Sequence, residues 1–277
     1  MKLKKILKII ATILISLIVF VGFVAVYPKI NPTADSAHTI AALCEKEFYL
    51  TAHRGLSSIA PENTKEALVE AGKAGYYAAE FDIEITKDGK WILMHDDTVD
   101  RMTNGTGEVS SLTFDEIQSL YIDSGNGIEN YANLRITTFE EALAVCEEYG
   151  MRAMIEIKGG TADDMAGVLE IIESMNLKNE PMIIDFNSER IEALRKLDNK
   201  MELWFIVNKI TDESIKFAKE QGAALAFNNK MPVNYAMLGK AKAEGLKLAS
   251  WTADLLPAAD ILIAFGVKYV TTNRILP

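Results

Sequence analysis

The sequence predicts an α/β chain, a (β/α)8 TIM barrel preceded by one N-terminal transmembrane helix. Three observations predict it. Strand and helix signals alternate from Phe48 onward, making eight strand-then-helix units in about 230 residues. The rival arrangement, a doubly wound sheet, needs a glycine-rich phosphate loop that this chain lacks. Ile9 to Tyr27 is an uncharged apolar run of 19 residues, about the length that crosses a bilayer as a helix.

The N-terminal run divides the chain. Lys2, Lys4, Lys5 and Lys8 precede it, so residues 1–8 are expected to form a basic cytoplasmic tail and 9–27 a single-pass anchor in the cell membrane. The rest of the chain is then extracellular. A cleaved signal peptide is the rival, but its apolar core is shorter, and Phe23-Val24-Ala25 makes a poor cleavage site. Residues 28–47, with Pro32, Asp35, Ser36 and His38, make a linker, and 48–277 the barrel. Net charge is -10, with +5 on residues 1–30, which leaves -15 on the remainder. That charge repels nucleic acid and means that a phosphate-bearing substrate needs a local cation. Cys44 and Cys146 give neither a disulfide framework nor a metal-ligand spacing.

Within the barrel, Tyr49 to His53 forms the first strand. Asn63 and Glu66 form a capping box for a helix buried through Ala67, Leu68 and Ala71. Ala79 to Ile85 is the second strand, and Asp88-Gly89 turns the chain into a return at Trp91 to His95. A polar excursion follows to Leu134, with one short helix opened by Thr113 and Glu116. The hairpin and excursion, about 86–134, form an insertion of the length that functional loops reach. Alternation then resumes, with strands at 153–158, 182–186, 203–207, 224–227, 247–252 and 269–272. The helices between and before them fall at 138–149, 188–197, 211–221, 234–244 and 257–265, with one more begun by Thr161 and Asp164 and buried through Met165, Val168, Leu169 and Ile172.

The chemistry-bearing residues fall at strand C-terminal ends, where barrels of this kind keep their sites. Residues two apart on a strand share a face, so Glu80 projects with Asp82, and Glu156 with Lys158. Glu80 and Asp82 lie among Ala78, Ala79, Phe81 and Ile83, which mark a buried strand rather than a solvated face, and Glu156 lies between Ile155 and Ile157. Buried carboxylates side by side need a proton or a cation between them. Three hard oxygen ligands without cysteine suit Mg²⁺ or Ca²⁺. His53 and His95 stand in the same stretch as the first two acids and are free to move protons.

His53-Arg54-Gly55, Pro61-Glu62-Asn63-Thr64, Glu80-x-Asp82, Thr86-Lys87-Asp88-Gly89, His95-Asp96, Glu156-x-Lys158 and Trp251-Thr252 together resemble the glycerophosphodiester phosphodiesterase family in its membrane-anchored bacterial form. The resemblance runs from about Phe48 to Asn273. It implies a TIM barrel that hydrolyses glycerophosphodiesters to glycerol phosphate and an alcohol. It also implies a divalent metal on Glu80, Asp82 and Glu156, an acid–base pair in His53 and His95, and phosphate contacts from Arg54 and Lys158. Phe186 and Trp251 are candidate walls for the glycerol moiety. Three positions depart from the family pattern: Asp185, where a small hydroxyl residue is usual, Asp254, where asparagine is common, and Thr137, a usual proline. The two acids are expected to add negative charge at the mouth of the site. The substrate partner is thus a small glycerophosphodiester. Two alternatives use the same barrel, a lipid-directed phosphodiesterase (lysophospholipase D or phospholipase C-like) and a non-catalytic binding module. An exposed apolar rim on the excursion would favour the first.

Overall fold

A computed structural model describes residues 47–277. The tail, the anchor expected over 9–27 and the linker up to residue 46 lie outside the described residues. Among the described residues no helix is long and apolar enough to cross a membrane.

Eight parallel strands close on themselves: β1 (Tyr49–Ala52), β2 (Ala78–Ile85), β4 (Arg152–Ile157), β5 (Met182–Asp185), β6 (Glu202–Val207), β7 (Ala224–Asn228), β8 (Leu248–Trp251) and β9 (Tyr269–Thr272). Closure comes from β1, which pairs with both β2 and β9. The expected hairpin return is β3 (Trp91–Leu93), antiparallel to the far end of β2. The helices are α1 (Lys65–Ala74), α2 (Phe114–Ser119), α3 (Phe139–Tyr149), α4 (Met165–Ser174), α5 (Ser188–Leu197), α6 (Asp212–Glu220), α7 (Tyr235–Ala243) and α8 (Leu256–Ala264).

Side-chain alternation builds two layers of core. Met154, Ile184, Trp204, Ala226 and Ala249 fill the barrel, while Phe81, Ile155, Ile183, Leu203 and Leu225 face the helices. Tyr49, Tyr77 and Tyr269 cluster beside this interior core, with ring centroids of Tyr49 at 4.2 Å from Tyr77 and 5.0 Å from Tyr269. Capping boxes at Thr113/Glu116, Thr138/Glu141 and Thr211/Ser214 start their helices where the hydroxyl relieves an unpaired backbone N–H. One expected cap is displaced. Thr64, not Asn63, caps α1, accepting from Ala67 N at 3.2 Å.

The excursion after β3 makes its own small core from Val99, Met102, Val109, Ile117, Ile122 and Leu134. The large apolar side chains exposed among the described residues include none from 97–134. The apolar rim that would favour a lipid-directed enzyme is therefore absent from this segment.

Candidate active site

Strand register gathers the site. Ala52 pairs with Ala79 and with Thr272, which sets His53 beside Glu80 on one flank and Asn273 on the other. Asp82 pairs directly with Glu156 across β2 and β4. Met94 N–H donates to Asp82 O at 3.1 Å, so the hairpin return delivers His95 to the same end of the barrel.

His53-Arg54-Gly55 is a tight loop at the end of β1. Arg54 and Gly55 both take left-handed backbone, φ +56° and +74°. A Cβ on Gly55 would lie 2.6 Å from the Ala67 carbonyl carbon, so only glycine lets the loop cross α1. Arg54 N–H then donates to Glu80 Oε2 at 2.8 Å, its Nη1 to Glu62 Oε1 at 2.8 Å, and its Nε lies 3.3 Å from Asp82 Oδ2. The strained arginine is over-determined by three acids, a common condition at functional sites.

Glu80, Asp82 and Glu156 each place a carboxylate oxygen within 4.8 Å of the others. Glu80 and Asp82 are 1% exposed, and Glu80 Oε1 and Asp82 Oδ1 have no hydrogen-bond partner in the protein. Burial raises all three carboxyls, joined by repulsion from Asp82 and Glu156 at Glu80 and from Glu156 at Asp82, with Asp82 reaching about 6 and Glu80 well above its ordinary range. Two buried oxygens without a partner, on two of three converging acids, fit a divalent cation. Asn63 steadies this set, donating through Nδ2 to Asp82 Oδ2 at 2.8 Å and accepting from Asp82 N at 3.0 Å. Glu84, the next residue on that face of β2, is also buried, and burial pushes its carboxyl to about 7. Gly159 packs against it, and a Cβ there would sit 2.0 Å from Glu84 Oε2, so the Glu84 carboxylate would have to move.

Both histidines have Nδ1 engaged. His53 Nδ1 lies 2.7 Å from Asn273 Oδ1, and its Nε2 is 3.9 Å from Glu80 Oε2. Burial and the neighbouring Arg54 cation push the His53 imidazole down to about 4, so it is neutral near pH 7. His95 Nδ1 lies 2.7 Å from Asp96 Oδ1, and Arg101 Nε holds the other Asp96 oxygen at 2.5 Å. That contact, then His95, keeps the Asp96 carboxyl at about 2. Arg101 also reaches Glu62 Oε1 at 2.7 Å, which ties the excursion to Arg54.

A cavity of about 160 Å³ opens above this array, and of the candidate residues only Asp82, lying beneath, is not in its wall. Lys158 Nζ donates to Glu156 Oε1 at 3.0 Å. Burial alone would depress the Lys158 ammonium, but Glu156, Asp82 and Glu80 hold it above its usual range. Phe186 and Trp251 meet edge to face at 5.8 Å on one side of the cavity. Lys230 completes the wall, a cation that no sequence motif marks.

The two departing acids behave differently from the expectation. Asp185 is fully buried, and Arg190 neutralises it through Nε to Oδ2 at 2.6 Å and Nη2 to Oδ1 at 2.8 Å. Asp254 uses both oxygens to hold Asn273. Each acid is taken up by a neighbour rather than offered to the mouth. Thr137 is the junction of insertion and barrel, its buried Oγ1 accepting from Lys65 N at 2.8 Å.

Residues 53–276 match the family model described as the glycerophosphoryl diester phosphodiesterase family. The chain belongs to that family. The glycerophosphodiester phosphodiesterase of Caldanaerobacter subterraneus subsp. tengcongensis is 29% identical over 226 residues, 80% of this chain and 92% of that protein. Glycerophosphodiester phosphodiesterase 1 of Mus musculus is 39% identical over 153 residues, 54% of this chain, and the match spans about half of the mouse protein's length, 46%. Among solved structures of the fold, an Oleispira antarctica phosphodiesterase in complex with the product sn-glycerol-3-phosphate superposes with a TM-score of 0.78. It is 25% identical and covers 84% of this chain and 95% of its own. In this chain His53, Arg54, Glu80, His95, Glu156, Lys158 and Trp251, all from the sequence motifs, line the cavity. The site residues that motifs did not reveal are Arg101, which reaches Glu62 from 39 positions away, and Lys230 in the cavity wall.

Proposed function

We propose that this chain hydrolyses glycerophosphodiesters to glycerol phosphate and an alcohol. The observation that carries the reading is the pair of imidazoles, each with Nδ1 engaged, in a cavity that also holds three converging carboxylates, Arg54 and Lys158. The glycerol phosphate product bound by the Oleispira relative supports the substrate class.

Glu80, Asp82 and Glu156 would hold the divalent cation, Ca²⁺ or Mg²⁺, given their hard oxygen donors. When bound, the cation withdraws charge from the phosphoryl oxygens. The protein supplies the rest. Arg54 and Lys158 face the phosphoryl group with permanent positive charge, and Phe186 and Trp251 pack against the glycerol carbons. Neutral His53 accepts the proton of the attacking hydroxyl at Nε2. His95, entering in its protonated form and backed by the Asp96 anion, gives a proton to the leaving alkoxide as its bond to phosphorus breaks. The proton held by His53 leaves through solvent to reset the pair. Only the His53 side has a neutral partner at Nδ1, which suits a group that starts the cycle uncharged.

The test is release of glycerol phosphate from glycerophosphocholine and glycerophosphoethanolamine by the full-length protein, with Ca²⁺, Mg²⁺ or EDTA, beside His53→Ala. Metal-dependent turnover that disappears in the variant is the expected outcome. No turnover with any cation would sink the assignment.

We further propose that residues 9–27 anchor the barrel to the cell membrane with the site outside. The apolar run and its preceding lysines support this. Protease added to intact cells is expected to digest the barrel, and full protection would refute the topology.

A further inference from the structure

Three neighbouring strand ends meet on one side of the cavity. Asp254 follows β8, Asn273 follows β9 and His53 follows β1. Asp254 Oδ2 accepts from Asn273 Nδ2 at 2.7 Å, and Asp254 Oδ1 accepts from the Asn273 backbone N–H at 2.7 Å and from Thr272 Oγ1 at 3.2 Å. Thr272 is itself oriented, because its hydroxyl oxygen accepts from the backbone N–H groups of Arg274 and Ile275. The hydroxyl hydrogen is thus directed at Asp254.

A carboxylate offers acceptors only, whereas an amide offers one end of each kind. The Asn273 amide therefore has a single orientation compatible with Asp254, NH₂ toward the carboxylate and Oδ1 away from it. That Oδ1 lies 2.7 Å from His53 Nδ1 and accepts from Ser57 Oγ at 3.1 Å. Opposite a carbonyl oxygen, Nδ1 must carry the hydrogen, which leaves the lone pair on Nε2. With asparagine at position 254, one of its two ends would oppose an Asn273 donor in either orientation. The amide of Asn273 could then turn and present NH₂ to Nδ1, which stabilises the opposite tautomer.

We propose that Asp254 is a positioning residue that, through the Asn273 amide, locks His53 in the tautomer with hydrogen on Nδ1 and the lone pair on Nε2. Its catalytic consequence rests on the reading of His53 as proton acceptor, since only this tautomer presents a base to the cavity. The lock itself rests on the hydrogen bonds alone. An aspartate at 254 thereby acts on the histidine through one intervening amide, without contacting substrate.

The experiment is long-range ¹H–¹⁵N NMR of the histidine rings in uniformly ¹⁵N-labelled full-length protein at neutral pH, with His53 assigned by its loss in His53→Gln. The wild-type spectrum is expected to show a protonated Nδ1 and an unprotonated Nε2 for His53. Asp254→Asn and Asp254→Ser are expected to show mixed tautomers, and kcat on glycerophosphocholine about tenfold lower with KM nearly unchanged, a part of what a positioned base contributes. Hydrogen on Nε2 in the wild type overturns the proposal, as does a single Nδ1-protonated form in either folded variant. A structural role alone would lower the Tm of the variants and leave the tautomer as it is. If the tautomers behave as expected but no glycerophosphodiester is turned over, the activity assignment fails and the lock stands.

Discussion

Arg190 encloses Asp185 in the barrel wall and spends its remaining N–H groups on the loop that begins with Lys158. Beyond its two bonds to the carboxylate, it donates to the carbonyls of Ile157 at 2.9 Å and Gly160 at 3.0 Å, and reaches those of Lys158 and Gly159 at 3.4 Å. The β4 loop is thus shaped around a guanidinium that a buried acid holds in place. Removing one partner of such a pair leaves the other charge buried and unpaired, which costs about 3–5 kcal/mol. Asp185→Ala is expected to lose stability of that order in chemical denaturation. It should also lose phosphate affinity, because Lys158 is no longer carried by an ordered loop. An Asp185→Ala protein as stable as the wild type would refute the account.

The carboxylate cluster makes stability depend on pH with a sign opposite to that of paired acids. The Asp82 carboxyl moves from 3.8 to about 6 in the folded protein, and Glu80 and Glu156 are raised as well, burial being the largest cause. Without a cation, the folded state then binds more protons than the unfolded state between about pH 4 and 6, and stability from these groups falls as pH rises through that window. A bound cation replaces the protons. The rise in Tm on adding Ca²⁺ or Mg²⁺ to EDTA-treated protein is therefore expected to be small near pH 5 and large near pH 8. A shift that shrinks with rising pH would contradict the cluster as the cation site.

Much of this was legible in the chain because strand periodicity and cavity chemistry coincide. Glu80 and Asp82, two apart among apolar neighbours, announce both a buried strand and a candidate ligand pair, and Glu156 repeats the pattern on the adjacent strand. What escaped is contact between residues far apart in sequence, which no local pattern encodes. Arg101 meets Glu62 from 39 positions away, and Asn273 meets His53 from 220. Asn63 escaped for a different reason. As the first polar residue before an apolar stripe it reads as a cap, but its backbone is left-handed, φ +54°, and its amide is committed to Asp82. The hydroxyl of Thr64, one residue on, takes the capping position instead.

Adjacent residues with separate tasks give a clean contrast. Asn63→Ser removes the two hydrogen bonds that orient Asp82, and loss of such support for a ligand typically weakens metal affinity about 10–100-fold. Calorimetric titration with Ca²⁺ or Mg²⁺ should show that loss. Thr64→Ala is expected to leave cation affinity unchanged and to cost about 1 kcal/mol of stability through the lost cap. Equal cation affinity in Asn63→Ser and wild type would show that Asp82 is ordered without the amide.

Arg101 joins the inserted excursion to both halves of the site. One guanidinium spans Asp96, the partner of His95, and Glu62, the partner of Arg54. Bridging two carboxylates at once needs the planar fork of arginine, and a lysine ammonium supplies charge at only one point. Arg101→Ala is expected to lower kcat/KM on glycerophosphocholine about tenfold, since neither Asp96 nor the Glu62–Arg54 pair is then held, and misplacement of catalytic groups is costly in rate. Arg101→Lys should recover only part of the loss. Full recovery by lysine would mean that charge alone matters at this position. An Arg101→Ala enzyme with unchanged kinetics would mean that the excursion covers the barrel without ordering its chemistry.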